Sequence, residues 1–160
     1  MSGLKAFTLL HVVISLVGIV SGLVVLFGML KAQRLERWTA VFLITTIATS
    51  VTGFLFPFNG FTPGIGLGII SMVVLAIALF ARYGRKLAGA WRWIYVLTAL
   101  LALYFNCFVL VAQSFQKVPA LKALAPTQSG PPFLVTQLIV LVGFILLTIM
   151  AAIKFRPARA

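Results

Sequence analysis

A bundle of transmembrane α-helices is the fold class this sequence predicts, and three observations predict it. Hydrophobic residues make up 62% of the 160, with a mean hydropathy of +1.19. Charged residues make up 9%, against about 25% in a soluble domain. The apolar residues form five long runs with the cations gathered between them. A soluble fold of this size lacks the polar residues to cover such a core, so a water-soluble globular enzyme is excluded. A β-barrel needs alternating stretches of ~10 residues, and these runs do not alternate.

The runs cover residues 7–30, 38–58, 62–81, 91–116 and 133–153, within one transmembrane domain, 1–160. Each has the ~20 residues a helix needs to cross a ~30 Å hydrocarbon core. Helix is the form that satisfies every backbone group within its own segment. The first run follows Lys5 and continues for 24 residues without a charge. That exceeds the ~7–15 apolar residues of a signal peptide, so it is read as a retained helix. Between the second and third runs, 57–64 reads Pro-Phe-Asn-Gly-Phe-Thr-Pro-Gly, an uncharged tight turn. Thr62 is the expected N-cap of the third helix and Pro63 its first turn. The loop 117–132 is the one long connector, with Pro119, Pro126, Pro131 and Pro132. Its stretch 119–125 reads as a short interfacial helix, either an ordered connector or a lid over an outer pocket.

The loops predict orientation. Ten of the 13 cations fall in the segments after the first, third and fifth runs. Lys5, Lys117 and Lys122 alone fall on the other side. The positive-inside rule then places the N-terminus outside and the C-terminus in the cytoplasm, as a multi-pass protein of the inner membrane. Trp38, Tyr83, Trp91, Trp93 and Tyr95 are expected as an aromatic belt at the cytoplasmic boundary. Phe54, Phe56, Phe58, Phe61 and Phe133 mark the outer one. Short loops, a Thr-rich second run and a Pro-rich outer loop give a texture that resembles small inner-membrane proteins of bacteria.

Four long polar side chains lie within the runs: His11, Asn106, Gln113 and Gln137. At ~1.5 Å per residue, His11, Gln113 and Gln137 lie in the outer third and Asn106 beneath them. Asn106 and Gln113 are seven residues apart, hence on one helix face. Ser15 shares the His11 face with Gly18 and Gly22, a close-approach motif. His11, Ser15, Asn106, Gln113 and Gln137 form the candidate ligand pocket, because intramembrane polar groups face the bundle interior and often mark function. The plainer reading of the same residues is a set of interhelical hydrogen bonds. The hydroxyls of Thr45, Thr49 and Thr52 are read as bonding back along their own helix.

Absences narrow the chemistry. There is no Asp, and the single Glu, Glu36, sits in a loop among Lys31, Arg34 and Arg37, where it reads as a local charge partner. A proton-coupled exporter needs a membrane-embedded acid, and a paired-carboxylate enzyme needs two. One His and one Cys build no closed metal shell. Cys107 has no partner for a disulfide within the chain and suits a buried small hydrophobe. Ser15 lies four residues from His11, but no third group orients the ring for nucleophilic catalysis. The stretch 19–22, Ile-Val-Ser-Gly, lacks the first glycine of the Gly-x-Ser-Gly element of intramembrane serine proteases. Arg82, Arg85, Lys86 and Arg92 read as topology anchors or as a site for anionic headgroups.

The expected function is therefore a non-enzymatic accessory or scaffolding subunit of a membrane complex. The alternative is a binder or carrier of an apolar small molecule, with haem or a quinone held through His11, or a lipid. The expected partners are the bilayer and a membrane protein or a second copy. Nucleic acid is not among them, because the cations sit at the ends of apolar runs rather than on one polar face.

Overall fold

The computed structural model describes residues 3–56, 60, 63–127 and 130–156, and their regular structure is helical with no strand. The helices are α1 (Gly3–Leu30), α2 (Glu36–Phe54), α3 (Pro63–Leu79), α4 (Trp91–Lys117), α5 (Pro119–Leu124) and α6 (Pro131–Lys154). A π-helical turn, Phe80–Gly84, extends α3. Residues 57–59 and 61–62 lie outside the described residues, and with them most of the expected tight turn and its Thr62 cap. Phe58, Phe61 and Arg159 also lie outside them.

Four helices are long and apolar enough to cross a membrane: α1, the Ile65–Gly84 segment, α4 and α6. The second run accounts for the difference from five. α2 has 19 residues, opens with Glu36 and Arg37, and carries six hydroxyl side chains. It ends at Phe54, where Leu55 N–H turns back to Thr52 O at 3.1 Å. The expected short helix in the long loop is α5. Its base is apolar: Ala125 is buried beside Phe115 and Phe133, and Leu121 packs on them, while Leu124 is exposed.

One core draws on α1, α2, α3, α4 and α6, and it is densest toward the end where α1 finishes and α4 begins. Leu26, Phe42, Leu43, Leu75, Leu100 and Leu103 are fully buried there. Gly22 lets that core close: a Cβ on it would stand 2.6 Å from Leu103 Cδ1 and 2.9 Å from Phe42 Cε1. One turn earlier the neighbours change in kind. A Cβ on Gly18 would meet the Thr45 and Thr46 hydroxyls at 3.3 Å and the Asn106 amide at 3.7 Å. The Gly18-x-x-x-Gly22 motif thus seats α1 against both α2 and α4.

The cation-rich end departs from the sequence reading at two residues. Arg82 is not a surface anchor but is 2% exposed. Its Nη1 donates to Tyr95 Oη at 3.1 Å and its Nη2 to Arg34 O at 2.9 Å, with Glu36 Oε2 at 3.1 Å. Tyr95 is 0% exposed and belongs to the core rather than to an interfacial belt; Trp38, Tyr83 and Trp93 are exposed. The physical reason is mutual. Both terminal nitrogens of the guanidinium have acceptors, though its Nε has no partner among the described residues, and a buried phenol in turn needs a hydrogen-bond partner. Arg82 also stands 5.1 Å from the centre of the Tyr95 ring. Glu36 is held by Arg34 Nε at 2.8 Å as well. That hydrogen bond first, then Arg82, keeps its carboxyl below the usual range, with burial opposing. Arg92 caps α6: its Nη1 donates to Ala152 O and Phe155 O, each at 2.8 Å.

Candidate functional site

Where the core gives way beyond Gly18, a cavity of about 760 Å³ opens between α1, α2, α3 and α4. Pockets for small molecules run from about 300 to 1,000 Å³, mostly apolar with a few placed polar groups. This one has that character. Leu16, Ile19, Phe105 and Val109 supply apolar wall, and the polar side chains come chiefly from α1, α2 and α4.

Four of the five residues singled out from the sequence line this cavity: His11, Ser15, Asn106 and Gln113. His11 Nδ1 lies 2.6 Å from Thr52 Oγ1, and Phe56 stands edge-on to the imidazole at 5.1 Å. Ser15 does not serve His11; its hydroxyl donates to Val12 O at 2.8 Å. Asn106 Nδ2 donates to Thr46 Oγ1 at 3.4 Å, which ties α4 to α2 beside Gly18. Gln113 is exposed at the mouth, one turn before Lys117, which lines the same cavity.

Gln137 stands elsewhere. It is 8% exposed and donates from Nε2 to Phe108 O at 3.2 Å, on the side of α4 that meets α6. It is not among the residues that line the cavity. The Gln137 Oε1 has no hydrogen-bond partner among the described residues.

Thr52 and Lys117 are the site residues that sequence reasoning missed. Thr52 does bond back along its helix, to Ala48 O at 2.7 Å and Thr49 O at 3.1 Å. Its second contact, to a residue 41 positions earlier, leaves no periodic trace in the sequence. Lys117 was visible only as the cation that ends a run.

Among the described residues no group of three His, Cys, Asp or Glu could hold a metal ion. No methionine lines the cavity among them either, and His11 is the imidazole there that could hold a haem iron. Comparison with known protein families, curated proteins and solved structures found no match for this chain.

Proposed function

We propose that the chain is a multi-pass membrane protein that binds an apolar small molecule carrying a few polar groups. A quinone-like or lipid-like molecule fits this description. The observation that carries the reading is the convergence of His11, Asn106 and Gln113, from two helices, on one cavity of about 760 Å³. His11 and Asn106 each make one interhelical hydrogen bond, to Thr52 and Thr46 of α2, which leaves further donor and acceptor capacity on both, and Gln113 at the mouth is exposed. In this reading α2 is a fifth span, shielded by its neighbours where its hydroxyls dilute its hydropathy. Ten of the 13 cations would face the cytoplasm, which puts the N-terminus and the cavity on the outer side of an inner membrane. A reporter fused after Ala160 should then be active in the cytoplasm alone, and periplasmic activity would overturn the orientation.

Native mass spectrometry of protein extracted gently from its own membrane tests the binding itself. A defined small-molecule mass that disappears in His11→Ala, with thermal stability retained, is the expected result. Loss of stability with ligand content unchanged would overturn it. The accessory-subunit reading has one observation behind it: 11% of the most apolar stretch of α6 is buried, against 33% in the other three spanning helices. A stoichiometric protein partner with no small molecule in the same spectrum would favour that reading instead.

A further inference from the structure

We propose that the cavity takes a molecule that presents a hydroxyl group to His11, of the phenol or hydroquinone class on an apolar body. It is held in preference to the ether or quinone of the same skeleton. The proposal rests on the pocket reading above and deepens it.

The argument begins at Thr52. A threonine hydroxyl has one hydrogen to donate and two lone pairs. Thr52 Oγ1 lies 2.7 Å from Ala48 O and 3.1 Å from Thr49 O, the back-bonding geometry of a helical threonine, which commits its hydrogen to those carbonyls. Toward His11 Nδ1, 2.6 Å away, it therefore acts as an acceptor, and the imidazole carries its hydrogen on Nδ1. In a neutral imidazole the other nitrogen then has a free lone pair. Nε2 has no hydrogen-bond partner among the described residues, and the ring lines the cavity.

Four nearby hydroxyls commit their hydrogens to their own helices: Thr8 Oγ1 donates to Leu4 O at 2.8 Å and Thr49 Oγ1 to Thr45 O at 2.7 Å. Ser15 Oγ donates to Val12 O at 2.8 Å, and Ser114 Oγ donates to Leu110 O at 2.7 Å. A hydroxyl on a molecule held in the cavity would supply that donor. The remaining chemistry suits the rest of such a molecule. Phe54, Phe56 and Phe105 give an aromatic head ring edge-on partners. Gln113 and Lys117, at the mouth, offer N–H donors to a second oxygen such as the para oxygen of a hydroquinone.

The chain has one histidine, so protein labelled with ¹⁵N-histidine yields a single imidazole spectrum. In nanodiscs, the probes are 4-nonylphenol and its methyl ether, 4-nonylanisole, with binding followed by equilibrium dialysis. The expected free-state spectrum has Nδ1 protonated and Nε2 bare. The phenol should shift the Nε2 resonance and bind about tenfold or more tighter than the ether, because the ether leaves Nε2 unpaired. Thr52→Val should mix the tautomers and reduce the preference to within about threefold, while Thr52→Ser restores both. Protonated Nε2 in the free protein would overturn the tautomer argument. Equal binding of both probes, with Nε2 unmoved, would overturn the hydroxyl preference and leave the pocket reading standing. If neither probe binds, the pocket reading falls and this proposal with it.

Discussion

Glu36→Gln tests the cation-rich end of the bundle, because Glu36 is the single acidic residue of the chain and the carboxylate on a buried Arg82. Removing one partner of a fully buried ion pair costs about 3–5 kcal/mol, since the other charge is left uncompensated. Here the two partners differ in exposure: the Arg82 side chain is 1% exposed and the Glu36 side chain 57%. Water already screens the carboxylate, and exposed pairs contribute about 0–1 kcal/mol. Arg82 also keeps Tyr95 Oη and Arg34 O as neutral acceptors. The cost of Glu36→Gln should thus lie between those limits, at about 1–2 kcal/mol. For a chain of this length that is a fall in Tm of roughly 2–8 °C. The assay is thermal unfolding in nanodiscs, followed by circular dichroism, across pH. Glu36 has a depressed folded-state pKa. Its stabilisation is present above the unfolded value, 4.5, and is lost as pH falls through the folded one. The difference between wild type and Glu36→Gln should be full at pH 7 and vanish in acid below that value. Arg82→Met combined with Glu36→Gln should recover much of the loss, because both charges are then gone. A Tm change under 1 °C at pH 7, or a difference that persists in acid, would refute the reasoning.

Four further outcomes are expected. Tyr95→Phe removes the acceptor of Arg82 Nη1 in a fully buried position and should cost about 1–3 kcal/mol in the same unfolding assay, without affecting ligand retention. Gly22→Leu drives a side chain into Leu103 and Phe42 and should destabilise by about 1–3 kcal/mol or more, whereas Gly143→Leu, with open space around it, should be within about 0.5 kcal/mol of wild type. Gln137→Leu removes a buried amide oxygen that lacks a partner among the described residues, and should leave both stability and ligand retention near wild type. Gln113→Leu, at the cavity mouth, should weaken ligand retention with stability unchanged.

Most of the helical framework was legible because hydrophobic run length is a local property. Four spanning helices and the short α5 follow from it directly. The second run shows its limit: the same Thr-rich composition that makes α2 a good partner for α1 lowers its hydropathy. The site was legible as far as one helix carries it. Asn106 and Gln113 share a face by spacing alone, and both line the cavity. Gln137 misled because depth in the membrane says nothing of azimuth, and α6 docks on the far side of α4. Arg82 misled for a related reason. A cation at the end of an apolar run reads as an anchor, and only the packing of α4 beside the π turn puts Tyr95 against it.

The two ends of the bundle follow from one difference in what faces α1. At Gly22 the facing residues are Phe42 and Leu103, long apolar side chains that meet over the missing Cβ and fill the space. At Gly18 they are Thr45, Thr46 and Asn106. Thr45 turns its hydrogen back to Val41 O at 2.6 Å, so its side chain stays close to its own helix. Asn106 is held toward Thr46. Short or tethered polar groups leave volume that an apolar pair would have taken, and the cavity begins there. At the filled end, Arg82 binds Tyr95 Oη, Arg34 O and the Glu36 carboxylate, and Arg92 binds Ala152 O and Phe155 O, which joins the ends of several helices. Packed side chains thus close the cavity at the Gly22 level, and the exposed Gln113 and Lys117 stand at its mouth.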